Sequence, residues 1–544
     1  MPRPAGDADT GGEAAIVWEW DEGRPIATLA RNVGTRYIGI VVEAVVGLVV
    51  LPFNVHHLGA SAYGLWMLTA SVTAYFSVMD LGYAGSLVRF VARYRARRDA
   101  RAINEILSTL FFVFALLGTV AYAVAVFLAF RLGTLFHLSP DDARVGRDVL
   151  LVVSANVALG FCFSVFGGVI NGFQRYHLNN LVGALTSLLA GVANVAVLLA
   201  GYHLVPVVLA TTTVRIAALF VYRWNAYYVF PALHIRPSHF HLSRLREVTG
   251  FSVFILLLDW ANKINYSVDA IVIGGFLNTA AVAVWTVAQR LAEVSQRVTN
   301  QLNDILFPAI VDSDEGQRTD RLRRIFLSAT RLSVASVIPV GGGLLLLARP
   351  LIAAWVGPRY AESVLVTQLL AAVVMVRVGN ATATTVLKGA GGHKLLTATN
   401  LTTAAGNLIV SLLLVRRLGL AGVALGTLIP VSLAALFVLF PAACRRADVL
   451  AWRALRTSVW PALWPGLFMA AWLVATRSSL AVNLAGVVLD GAIGGVIYAL
   501  LFVGFAIPAD ERRIFVGEAR NWLRGRLAGQ GPGSVDSSRR APAA

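Results

Sequence analysis

Charged side chains at helical spacing inside apolar sequence are where this chain can do chemistry. Between residues 250 and 274 lie Asp259, Lys263, Tyr266 and Asp269; between 280 and 307 lie Arg290, Glu293, Arg297, Asn300 and Asp304. Spacings of three, four and seven put each set on one face of a helix. Arg215 and Arg377 stand in two further apolar segments, and Glu43 and Asp80 in the first two. An ionised group within a bilayer is costly unless it faces protein or water. The two sets therefore predict a water-accessible cavity, cationic toward one side. Its chemistry is binding: a planar guanidinium offers forked donors to phosphate or pyrophosphate. Lys263, Arg290, Arg297, Arg215 and Arg377 are the candidate anion contacts. Glu43, Asp80, Asp259 and Glu293 are the candidate acidic groups of the cavity, able to carry protons or couple to an ion. A structural reading fits the same residues. Asp259 and Lys263 stand four apart and can neutralise each other, and the arginines can be partners of Glu293, Asp259 and Asp304.

The elements that must hold these residues are membrane helices. A hydrocarbon core about 30 Å thick needs roughly 20 apolar residues per crossing. About fourteen segments meet or approach that length, at 36–57, 62–88, 103–130, 148–173, 178–201, 204–224, 250–274, 280–307, 325–348, 361–387, 395–415, 418–442, 457–476 and 482–507. The 544 residues are 57% hydrophobic and only 14% charged, with a mean hydropathy of +0.70. A soluble chain carries nearer a quarter charged residues. The expected class is an all-α integral membrane protein.

A net charge of +17 in a soluble protein would point to nucleic acid. Here arginine is concentrated in alternate loops, around Arg89–Arg101, Arg223–Arg246, Arg318–Arg331, Lys388–Lys394 and Arg445–Arg456. That alternation sets orientation: the arginine-rich loops are cytoplasmic, an even number of crossings puts both termini there, and no nucleic acid is expected. The first 30 residues hold no long apolar run after a basic start, so no cleavable signal peptide is expected. Residues 530–534 read as disordered. Cys162 and Cys444 give neither a metal spacing nor a disulfide framework. No phosphate-cradling Gly-x-x-x-x-Gly-Lys-Ser/Thr loop, His-Glu-x-x-His or Gly-x-Ser-x-Gly is present. No cofactor, metal or catalytic residue is expected. Asp141 and Asp142 follow Ser139-Pro140 and read as the start of a helix.

The chain also resembles itself at a spacing of about 217–219 residues. Ala62-Tyr-Gly-Leu-Trp66 aligns with Ala281-Val-Ala-Val-Trp285, and the turn at 171–177 aligns with 388–394. Six crossings per half give the halves the same direction, so they read as two parallel six-helix repeats around a central cavity, with two extra C-terminal helices. Such repeats are a transporter plan with the site between the halves. The expected divisions are a polar tail at 1–30, a bundle at 31–224, a cytoplasmic linker at 225–249, a second bundle at 250–442, the added helices at 457–507 and a basic tail at 508–544.

Leu58-Gly-Ala-Ser-Ala-Tyr-Gly-Leu-Trp66 followed by Asp80-Leu-Gly-Tyr-Ala-Gly-Ser-Leu-Val-Arg89 resembles the bacterial polysaccharide biosynthesis proteins. These are the O-antigen-type flippases of the multidrug/oligosaccharidyl-lipid/polysaccharide exporter superfamily. The resemblance spans about residues 30–507. It implies a multi-pass protein of the bacterial inner membrane, expected as a monomer, beside which polysaccharide polymerase or export machinery works. It implies that an undecaprenyl-pyrophosphate-linked oligosaccharide passes from the inner to the outer leaflet by alternating access, its tail staying among membrane lipids. Two other readings stay open. A drug/cation antiporter of the same superfamily expects a mainly acidic cavity. A membrane glycosyltransferase or polymerase expects larger outer loops with catalytic carboxylates.

Overall fold

The computed structural model describes residues 25–76, 79, 83–249, 268–299, 310, 319–476, 483–508 and 512. The described residues are helical almost throughout, without strands. The helices are α1 (Pro25–Phe76), α2 (Tyr83–Ala96), α3 (Ala100–Leu135), α4 (Pro140–Gly172), α5 (Tyr176–Leu199), α6 (Leu204–Val229), α7 (Thr279–Thr299), α8 (Thr319–Trp355), α9 (Ser363–Gly389), α10 (His393–Arg446), α11 (Ala451–Thr476) and α12 (Leu484–Ala506). Ten of them are long and apolar enough to cross a bilayer. The segments expected at 250–274 and 280–307 fall partly outside the described residues.

Two of the long helices are hairpins folded at a glycine. In α10, Gly419 has φ 57° and ψ −133°, a conformation an L side chain adopts only with strain. Around it the chain doubles back. Asn407 Nδ2 donates to Thr427 Oγ1 at 3.1 Å, and a Cβ on Gly406 would meet Pro430. In α1, Gly59 has φ 77°, and residues on both sides of it line one cavity. Each hairpin thus holds two of the expected crossings. The Ser139 hydroxyl accepts from Asp142 N at 3.1 Å and caps α4, as its sequence suggested.

Left-handed turn residues recur along the chain. Gln174 and Gly391, Gly201 and Gly419, and His137 and Gly357 all have positive φ; they stand 217, 218 and 220 residues apart by their numbers. Ser61 Oγ and Thr279 Oγ1, also 218 residues apart, hydrogen-bond each other at 3.0 Å. This is the spacing at which the sequence resembles itself.

Packing separates an exposed apolar surface from several interior clusters, two of them large. Ile38, Val41, Val45 and Val49 make one exposed stripe on α1, and Val488, Leu489, Val496 and Leu500 another on α12. One cluster joins Leu87, Ile103, Phe114, Val165 and Phe230. The other joins Leu51 and Leu68 of α1 to Ile273, Trp285, Ala371 and Val423. The chain after α6 is clamped onto α3. Asn104 bonds Ala232 O at 2.8 Å and His234 N at 3.0 Å, Thr109 accepts from His241 N at 3.0 Å, and Arg244 pairs with Glu105 at 2.9 Å. Burial pulls the Arg244 pKa down, but hydrogen bonds to Glu105 and Glu247 and the neighbouring Tyr94 hold it above its usual value. α11 and α12 pack on α8 through Ile338, Leu347, Met469 and Leu473.

Candidate functional site

A cavity of about 630 Å³ lies between the N-terminal helices and α7. Both arms of α1, together with α4, α5 and α6, form most of its wall, and α7 closes the remaining side. Three arginines reach it, Arg215 from α6 and Arg290 and Arg297 from α7, with Glu43 from α1 and Glu293 from α7.

The α7 charges are held by a defined network. Trp285 Nε1 donates to Gln289 Oε1 at 2.9 Å, and Gln289 Nε2 donates to Glu293 Oε1 at 2.9 Å. Glu293 then pairs with Arg290 at 3.5 Å. Arg290 also donates to the Glu43 carbonyl at 3.2 Å. Arg297 does not take Glu293 as its partner. It reaches across to the Glu43 carboxylate at 2.8 Å. The Glu43 and Arg297 side chains keep 46% and 48% of their exposure, so solvent and any ligand can reach the pair. Arg215 has no ion-pair partner among the described residues.

Gly47 explains how Arg290 gets there. A Cβ at that position would collide with the Arg290 guanidinium. The missing side chain lets the guanidinium lie flat against α1. Gly64 does the same further along: a Cβ there would run into the Thr279 carbonyl, so α1 and α7 touch backbone to backbone, as small residues allow in membrane helices. The Trp355 indole donates to Leu48 O at 2.8 Å and ties α8 to the same stretch of α1.

Of the residues singled out from sequence, Arg215, Arg290, Arg297, Glu43 and Glu293 meet in this cavity. Lys263, Asp259 and Asp80 lie outside the described residues. Arg377 is not among the cavity lining; it sits in α9, near enough to act electrostatically on Asp269. Asp269 is 5% exposed. Its Oδ2 accepts from Thr427 at 3.4 Å, Thr427 accepts from Asn407, and Asn407 Oδ1 accepts from Ser411 at 3.3 Å. Asp269 Oδ1 is buried without a partner. Sequence reading placed Asp269 on a helix face but did not assemble this cluster, whose members lie up to 158 residues apart. It also missed the cavity amides Asn156 and Asn194. A single asparagine in an apolar run gives no periodic signal.

A probable flippase, AglR, of Haloferax volcanii is 22% identical over 75% of this chain and 82% of its own length. Among solved structures, the lipid II flippase MurJ in an inward closed conformation superposes with a TM-score of 0.66 at 12% identity, covering 88% of this chain and 98% of that one. An inward-facing multidrug resistance transporter of the MATE family superposes with a TM-score of 0.58 at 16% identity, covering 78% and 96%. At these identities the two structures speak for the fold. Residues 29–313, more than half of the chain, match the family described as polysaccharide biosynthesis protein, and this multi-pass membrane protein belongs to that family.

Proposed function

We propose that the protein is a flippase for a lipid-linked oligosaccharide. It moves the head group from the inner to the outer leaflet by alternating access, without making or breaking covalent bonds. The observation that carries this reading is the convergence of Arg215, Arg290 and Arg297 on one solvated cavity inside an apolar helical fold. Three guanidiniums against two carboxylates favour an anionic group, and pyrophosphate matches their forked donors. A cation substrate would want the opposite balance, which weighs against a drug/cation antiporter. An undecaprenyl anchor would stay among the membrane lipids while its pyrophosphate sits at the arginines. Glu43 and Glu293, and with them Asp80 and Asp259, are the carboxylates proposed for coupling. Lys263 and Arg377 remain proposed anion contacts.

The recurrence of left-handed turns, and the meeting of Ser61 with Thr279, support parallel repeats about an axis along the membrane normal. The arginine-rich loops support cytoplasmic termini. A bacterial inner-membrane location, a monomer and a working partnership with polysaccharide polymerase or export machinery belong to the same proposal.

The test is complementation of a strain lacking the gene. Arg290→Ala or Arg297→Ala is expected to abolish surface polysaccharide while the protein inserts at normal levels. Arg97→Ala, in a loop, is expected to be silent, since topology rests on many arginines. Normal export by both cavity variants would overturn the anion-binding reading.

A further inference from the structure

The charged groups fill only part of the cavity. On α1 they end at Glu43; Asn54 lies eleven residues on, about 16 Å nearer the Gly59 turn. Toward that end neutral polar groups make up most of the lining, Asn54, Asn156, Asn194, Thr211 and Thr212 with Trp66 beside them, and Arg215 follows one turn beyond Thr211. Asn54 is 5% and Asn194 3% exposed, and the Oδ1 of each is buried without a hydrogen-bond partner. Neither side chain hydrogen-bonds to any described residue. Thr211 spends its hydroxyl on the Val207 and Val208 carbonyls, so the amides are the groups left to read a ligand.

A buried carboxamide without a partner is costly, and two on one cavity wall call for a ligand of matching chemistry. Each offers donors and an acceptor but no charge. An anion would offer no donor to the buried amide oxygens, and a lipid tail would leave the amides unpaired. A sugar ring carries hydroxyl and acetamido groups for the amides and a flat apolar face for an indole. We propose that this end of the cavity is a subsite for an uncharged sugar, read by Asn54 and Asn194, while the arginine end holds the pyrophosphate. The proposal rests on the flippase reading and deepens it. The glycan then leads toward the Gly59 end and the pyrophosphate trails. An acidic first sugar fits the amides less well, because its carboxylate offers only acceptors to the two buried Oδ1 atoms.

Isothermal titration of the full-length protein in detergent tests this with three probes. They are bare polyprenyl pyrophosphate, the same lipid carrying a neutral N-acetylhexosamine–hexose disaccharide, and the same lipid carrying a uronic acid as its first sugar. The wild type is expected to bind the neutral glycolipid at least about tenfold tighter than the bare lipid, and the uronic acid lipid no tighter than the bare one. In Asn54→Leu/Asn194→Leu the ratio between neutral and bare lipid should fall to about one. The subsite is overturned if the wild type binds bare and neutral lipids equally, if the uronic acid lipid gains as much, or if the ratio survives in the double variant. Should the double variant fail to fold, the wild-type comparison and the two single variants still decide. Failure of the wild type to bind any pyrophosphate lipid would instead sink the flippase reading itself.

Discussion

Arg290 is the residue on which the site turns. It bonds the Glu43 carbonyl, pairs with Glu293, and occupies space that Gly47 leaves open. Lysine keeps the charge but not the fork, so Arg290→Lys should retain normal protein level and lose most of its export, measured as surface polysaccharide. Gly47→Ala should produce the same phenotype through displacement of the guanidinium, with Arg290 itself untouched; normal export in Gly47→Ala would mean the packing is incidental. The Glu43–Arg297 pair is half-exposed, and such pairs contribute about 1 kcal/mol or less to stability. A double-mutant cycle on thermal stability should therefore give only a small coupling. Asp269 is different, being buried close to Arg377. Asp269→Ala takes the carboxylate acceptor from the buried Thr427–Asn407–Ser411 chain, a change that costs about 1–3 kcal/mol. It should lower membrane protein level, whereas Asp269→Asn, which still bonds Thr427, should lower it less. The charged residues themselves were legible because polar groups stand out in apolar sequence. Their pairings were not. Arg297 chooses Glu43, 254 residues away, over Glu293 four residues away, and nothing in local spacing announces that choice.

The helices show where sequence periodicity succeeds and where it stops. Apolar length alone located nearly every described span, because a bilayer demands it. The same argument treats 395–415 and 418–442 as separate crossings, and Gly419 is the reason they can be joined with no intervening loop. Gly419→Ala forces a side chain into a left-handed conformation at a cost of about 1–3 kcal/mol. It should reduce the melting temperature of the purified protein, while Gly504→Ala, with open space for its Cβ and no positive φ, should change it little. The stretch after α6 reads from sequence as a linker. In the structure it is pinned to α3 by Asn104, Glu105, Ser108 and Thr109. These four polar residues head an apolar helix. Only the fold shows what they hold, since the contacts run over 126–139 residues.

At the scale of the molecule, a chain read as two similar halves holds its cavity mainly in the first half, with one helix of the second laid along it. That helix, α7, brings both arginines of the second half; α1 receives Arg290 at Gly47 and the α7 backbone at Gly64, and its Glu43 takes Arg297. A site built across that seam would change shape if α1 and α7 separated, as the proposed alternating access requires. The central claim is the cargo. The most direct measurement is the leaflet distribution of lipid-linked oligosaccharide in cells depleted of this protein, read with a membrane-impermeant oxidant before lipid extraction. The account predicts that complete lipid-linked units accumulate protected on the cytoplasmic leaflet, and that wild type but not Arg290→Ala returns them to the accessible side. An unchanged pool, equally accessible with and without the protein, would contradict it.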